Sequence, residues 1–209
     1  MAFDLQEQEQ IADFKAWWNS WGKFLATAVI LALLGYLAWQ GWHAYQKSQA
    51  EKAGLIYARI EGAIGGDAAK IRADADLLKQ DFSGSAYASR GALFAAKASA
   101  DAGQLKEAEA QLNWVVANSD EADLRDAARL RLAAVQLDQK QPDAALKTLG
   151  GAESTGFAGL VAELRGDILL DKGDSAGARE AYKEALSKLP KDAPNIQFVQ
   201  VKLDALQKV

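Results

Sequence analysis

Leu164-Arg-Gly166-Asp-Ile-Leu-Leu-Asp171-Lys-Gly-Asp174-Ser-Ala-Gly-Ala178-Arg-Glu-Ala-Tyr182-Lys-Glu-Ala185-Leu-Ser-Lys-Leu-Pro190 reads as two helices joined at Gly173-Asp174. Two packed helices come close only where side chains are small, which suits Gly166 and Ala178. The large Tyr182, one turn after Ala178, then fills the groove toward the next element. Asp174 is placed to cap the second helix. The pattern recurs upstream. Aligning Ala108 and Ala145 with Ala178 gives periods of 37 and 33 residues. Twelve residues before each lies a small residue (Ala96, Ala133, Gly166), and four after each lies a large one (Leu112, Leu149, Tyr182).

This spacing resembles the tetratricopeptide repeat, with its period of ~34 residues and its L-G-x2-Y…A-x3-F…P pattern. The copy with Gly166, Leu169, Ala178, Tyr182, Ala185 and Pro190 fits best; the two before it lack the glycine and the closing proline. The remainder from Ala44 on is rich in Ala, Leu, Lys, Glu and Gln, and is broken at Gly65-Gly66, Ser83-Gly84, Ala102-Gly103, Asn118-Ser119-Asp120, Gln141-Pro142 and Gly150-Gly151. It reads as helix throughout. The fold class is therefore all-α: one N-terminal transmembrane helix, then a helical solenoid of about four pairs. The first pair, around Gly65-Gly66-Asp67, is atypical. A final helix with Ile196, Val199, Leu203 and Leu206 on one face serves as a cap. A generic Ala-rich bundle is the plainer alternative.

From Phe24 to Gln46 there is no Asp, Glu, Lys or Arg. The core of this stretch, 24–42, spans about 28 Å as a helix, close to the ~30 Å apolar thickness of a bilayer. Trp17, Trp18 and Trp21 precede it, and Trp39, Trp42 and Tyr45 close it, as aromatics at membrane interfaces do. A buried core helix would carry a polar stripe, and a cleaved signal peptide would have a shorter apolar run and a less acidic start. Ile11, Phe14, Trp18 and Trp21 recur at helical spacing, which predicts a short amphipathic helix at the membrane surface. Lys15 and Lys23 on one side, against Lys47, Lys52 and Arg59 on the other, leave the orientation open.

The 209 residues contain no Cys and one His, and the net charge is −4. Disulfides, thiolate metal sites, His clusters and nucleic-acid binding are thereby disfavoured. His43, at the end of the span, reads as an interfacial aromatic. No phosphate-binding glycine motif is present. No catalytic, metal or cofactor residues are assigned, and no small-molecule substrate is expected.

Asp101, Asp138 and Asp171 each lie seven residues before an aligned alanine. In stacked repeats such positions line up, so the three form an expected acidic stripe at the mouth of a partner-binding groove, with Leu93, Leu130 and Glu163 deeper in it. Solvated turn carboxylates are the alternative.

Several blocks together carry a closer resemblance: Gln6-Glu-Gln-Glu-Gln-Ile11, Phe14-Lys-Ala-Trp-Trp18, Gly22-Lys23, Asp143-Ala-Ala-Leu-Lys-Thr-Leu149, Leu164-Arg-Gly-Asp167 and Lys172-Gly-Asp-Ser-Ala-Gly-Ala-Arg179. With the span and the repeats, they resemble the YfgM family of ancillary subunits of the bacterial SecYEG translocon. The resemblance implies a single-pass inner-membrane protein with a cytoplasmic N-terminus and a periplasmic repeat domain. It further implies association with SecYEG and with PpiD, a membrane-anchored periplasmic chaperone, in helping exported chains leave the channel. The expected layout is a cytoplasmic amphipathic segment at 1–23, the span at 24–42, a linker helix with the first pair at 43–85, and repeats with their cap at 86–209. A soluble exported adapter is the second reading.

Overall fold

The computed structural model describes residues 2–206. Residue 1 and residues 207–209, the ends of the expected segments 1–23 and 86–209, lie outside them. The described residues form ten α-helices, one π turn and one 3-10 turn, with no strand among them. The chain divides between Glu51 and Lys52 into two compact units.

In the first unit, α1 (Ala2–Trp17) passes through a π turn (Trp18–Gly22) into α2 (Lys23–Gly62). The helical backbone is uninterrupted from the segment before the span into the span itself. No glycine or proline precedes Gly22 to break it, and the π turn absorbs the change of register. Nor are the apolar residues of α1 gathered on one side. The stretch Glu7–Gly62 contains an apolar window long enough to cross a membrane, and 0 % of that window is buried. A core helix would be covered, so this stretch has the exposure as well as the composition of a membrane span. Phe24, Leu31, Trp39, Trp42 and Tyr45 all point outward. Thr27, a polar residue inside the apolar run, satisfies its hydroxyl by donating to the Lys23 carbonyl at 2.8 Å.

The second unit begins within α2 and continues through α3 (Ala68–Asp81), α4 (Ala86–Asp101), α5 (Leu105–Asn118), α6 (Ala122–Asp138), α7 (Pro142–Leu149), α8 (Ala158–Asp171), α9 (Ser175–Lys188) and α10 (Ile196–Ala205). Its apolar interior falls into four clusters. Ala53, Ile56 and Ile60 of α2 meet Ile71, Ala75 and Leu78 of α3 and Ala88 and Ala95 of α4. Ala92, Ala108, Leu112, Ala128 and Leu132 join α4, α5 and α6. Ala133, Ala145, Leu149 and Ile168 join α6, α7 and α8. Ala162, Ala178, Tyr182, Val199 and Leu203 join α8, α9 and α10. Each cluster ties one helix pair to the next element, which is how a solenoid buries a face that no pair buries alone. Tyr182 is fully buried and its ring lies over Gly166, where a Cβ would come within 2.4 Å of the ring.

Three turns repeat one geometry. Gln104, Gln141 and Asp174 each donate a backbone N–H to the carbonyl five residues back, at 2.8, 2.9 and 2.9 Å. Gly103, Lys140 and Gly173, one residue earlier, each donate three residues back at 2.9 Å. This is the paired closure of a Schellman motif, in which the residue just past the helix, the inner of the two donors, takes positive φ. Gly103 and Gly173 sit at φ 73° and 82°, while Lys140 sits at 62°. A left-handed backbone costs a side-chain-bearing residue ~1–2 kcal/mol, partly offset because glycine adds freedom to the unfolded chain. Lys140→Gly is therefore expected to stabilise the domain by about 0.5–1 kcal/mol, read as a shift of the urea midpoint. An unchanged midpoint counts against strain at this turn.

Candidate partner-binding face

The first helices of successive pairs form a layer in which α4 packs on α6 and α6 on α8. In solenoids the exposed side of that layer is the concave, ligand-binding side. Leu93 on α4, Leu130 on α6 and Glu163 on α8 are all half-buried in this layer. Asp101, Asp138 and Asp171 are the last residues of α4, α6 and α8, immediately before the three matched turns.

Their surroundings differ. Lys97 donates to Asp101 at 2.6 Å from one helical turn back, and Lys140 reaches Asp171 at 3.4 Å. These cations offset the unfavourable placement of a carboxylate at a helix C-terminus. Asp138 has no ion pair among the described residues. Glu163 accepts from Asn195 at 2.5 Å and from Lys202 at 3.0 Å, so the final helix occupies the α8 end of the layer. Lys202 also donates to Asp167 at 2.8 Å, and Asp167 accepts from the Tyr182 hydroxyl at 2.7 Å. Burial works against the Lys202 ammonium, but Asp167 and Glu163 outweigh it and hold its pKa above the ordinary lysine value. Burial, reinforced by Asp167, pushes the Tyr182 phenol up as well.

At the α4 end, a cavity of about 190 Å³ is lined by Tyr57, Arg90, Leu93, Phe94, Lys97 and Arg131. The Arg90 guanidinium is fixed by a bidentate pair with Glu121 at 2.9 and 3.0 Å. The Tyr57 ring lies 5.3 Å from Tyr87 and 6.0 Å from Phe94, centroid to centroid. Burial, with the Glu61 carboxylate nearby, pushes the Tyr57 phenol up and keeps it protonated. A second cavity of about 400 Å³ shares Phe94 and Lys97 and continues over Ile64, Ile71 and Ala98.

Of the residues singled out from sequence, Ala108, Ala145 and Ala178 are fully buried, and Leu112, Leu149, Gly166 and Tyr182 are buried beside them. Pro190 is exposed just past α9. The cavity residues were not legible as a set. Arg90, Phe94, Lys97 and Asp101 do follow helical spacing on α4, which is a usable signal, but Tyr57 and Arg131 come from distant helices and carry none. The repeat frame also hid Asp126, a buried carboxylate on α6 that accepts from the Glu153 and Ser154 amides at 3.0 and 2.6 Å and from Arg129 at 2.7 Å. It ties the loop after α7 to α6.

Stacked helix pairs with a continuous first-helix face, and an apolar helix ahead of them, define a membrane-anchored helical-repeat protein. The family model described as "Tetratricopeptide repeat-like domain" matches residues 15–208. A Neisseria gonorrhoeae protein named "Ancillary SecYEG translocon subunit" is 34 % identical over 209 residues, covering 99 % of this chain and 100 % of that one. Proteins of the same name from Escherichia coli and Haemophilus influenzae are 34 % and 32 % identical, covering 85 % and 88 % of this chain and 85 % and 91 % of theirs. The chain belongs to this family of ancillary SecYEG translocon subunits with a tetratricopeptide repeat-like domain.

Proposed function

We propose that the chain is an accessory subunit of the Sec translocon that acts by binding rather than by catalysis. Its full-length similarity to proteins of that name carries the reading. The exposed apolar stretch and the stacked repeats support it. The lipid bilayer of the inner membrane holds residues 24–42, with Trp17, Trp18 and Trp21 at one border and Trp39, Trp42 and Tyr45 at the other. Residues 1–23 lie in the cytoplasm. The linker helix and first pair (43–85) and the repeats with their cap (86–209) lie in the periplasm. There the first-helix face, with Leu93, Leu130 and Glu163 in it and Asp101, Asp138 and Asp171 at its rim, receives a PpiD-like chaperone and helps exported chains leave the channel. Neither nucleic acid nor a small-molecule substrate is involved.

Affinity purification of the tagged full chain from detergent-solubilised membranes tests this. SecYEG and a periplasmic chaperone are expected to co-purify. Reversing Asp101, Asp138 and Asp171 to lysine together is expected to lower chaperone recovery at least about fivefold, since rim charges act on encounter and orientation. Absence of SecYEG from the eluate removes the subunit reading, and full chaperone recovery by the triple variant removes the role of the rim.

A further inference from the structure

The lining of the smaller cavity at the α4 end of the first-helix face differs in sign from the rim. Six side chains line this cavity, and none is a carboxylate: Tyr57, Arg90, Leu93, Phe94, Lys97 and Arg131. Glu121 holds Arg90 and Asp101 holds Lys97, each from outside that lining. Arg131 has no ion pair among the described residues and is exposed. Arg90 and Lys97 are thus already neutralised and the Tyr57 phenol has the Glu61 carboxylate beside it, so the Arg131 guanidinium, next to the aromatic and leucine floor, is the one cation of this lining left to pair with an entering carboxylate.

The neighbouring cavity shares the Phe94 and Lys97 walls, is floored by Ile64, Ile71 and Ala98, and has Asp101, the partner of Lys97, at its far edge. At about 190 and 400 Å³ the two sit at or below the low end of the ~300–1,000 Å³ typical of small-molecule sites. They suit individual side chains better than a cofactor. They also adjoin along the helix direction, in the way side-chain pockets serve an extended peptide.

We propose that this end of the face binds an extended segment of a partner polypeptide in which an Asp or Glu side chain sits beside a branched apolar one. The carboxylate pairs with Arg131, with Arg90 and the Tyr57 hydroxyl alongside, and the apolar side chain enters the trough over Ile64, Ile71 and Phe94. The trough continues past Phe94, so the segment is internal to the partner chain and its terminus is not what is read. The proposal rests on the first-helix layer being the binding face, and it supplies the chemistry of what binds there.

The test is fluorescence anisotropy of a fluorescein-labelled peptide, Glu, Leu and Glu in a Gly-Ser backbone with an amidated C-terminus, titrated with the full chain in detergent. Saturable binding that weakens with added salt is expected. Losing one charge-assisted pair costs about tenfold in affinity, so Arg131→Glu is expected to weaken binding by about tenfold or more. Lys97→Glu is expected to weaken it too. Both side chains are exposed, and an unchanged circular dichroism spectrum shows that each variant is folded. A peptide with Lys in place of Glu is expected not to bind.

Three results overturn the proposal: equal affinity for Arg131→Glu, equal affinity for the Lys peptide, or binding only when the peptide's C-terminal carboxylate is left free. A wild-type chain that recovers SecYEG yet ignores the Glu peptide also removes it, while leaving the subunit reading standing. A chain that binds the peptide but recovers no SecYEG does the reverse.

Discussion

Asp126→Ala is expected to cost about 3–5 kcal/mol of folding stability, most of what a domain of ordinary stability has to lose. The side chain is only 1 % exposed, and its partner Arg129 is 15 % exposed. Removing the carboxylate leaves a nearly buried guanidinium without its counter-charge. It also strands the Glu153 and Ser154 amides, which now donate at 3.0 and 2.6 Å. Each stranded donor carries its own desolvation cost of about 1–3 kcal/mol. Asp126→Asn is expected to be nearly as harmful, since it keeps the shape but turns a donor toward donors. Urea denaturation of the full chain measures the loss, and amide exchange at residues 153 and 154 locates it. A loss below about 1 kcal/mol shows that the loop is held by something else.

The same group sets an acid limit. Burial raises the Asp126 pKa, but the Ser154 amide, Arg129 and the Glu153 amide outweigh burial and hold it below the ordinary 3.8. A carboxyl with a depressed folded-state pKa stabilises fully above its unfolded value and loses that contribution as pH falls through the folded one. The gap between wild type and Asp126→Ala is therefore expected to be constant near neutrality. It should close only as pH drops below 3.8.

Gly166→Val is expected to cost about 3 kcal/mol, at the upper end of overpacking penalties. A Cβ at this position would lie 2.4 Å from Cε1 and 2.6 Å from Cδ1 of Tyr182. The ring cannot swing aside cheaply. It is fully buried, and its hydroxyl is held by Asp167, which is itself paired with Lys202. Exchanging the ring for a smaller side chain discriminates packing from any other defect. Gly166→Val combined with Tyr182→Leu is expected to be more stable than the sum of the two single losses predicts. Strict additivity would mean that the glycine matters for some reason other than the ring above it.

Much of the fold was readable because it follows from size and spacing. The small residues at 96, 133 and 166 and the alanines at 108, 145 and 178 mark where helices meet, and the turn glycines mark where they end. The third copy was clearest because Gly166 and Tyr182 are a matched pair, one making room for the other. Features that rest on the backbone were not readable. Lys140 falls in register with Gly103 and Gly173, five residues before the aligned alanines, but only the dihedral angle reveals that a lysine there is left-handed too. Asp126 binds loop amides, which have no side-chain signature. The segment before the span carries apolar residues at helical spacing, yet it continues as one helix into α2, because nothing in its sequence forces a break. The site was less legible than the fold. The carboxylates at 101, 138 and 171 could be placed at matching helix ends from sequence. That Lys97 and Lys140 reach two of them, and that Lys202 and Asn195 engage Glu163, depends on side-chain paths between helices.

The partition of the apolar interior into four clusters has a mechanical consequence. A globule with one core resists tension as a whole and then fails as a whole, whereas stacked helix pairs share a load step by step. A pull on α10 is taken first by Val199 and Leu203 against α9 and by Lys202 against α8, while the parcels nearer α2 stay intact. Such a domain stretches and recoils like a spring.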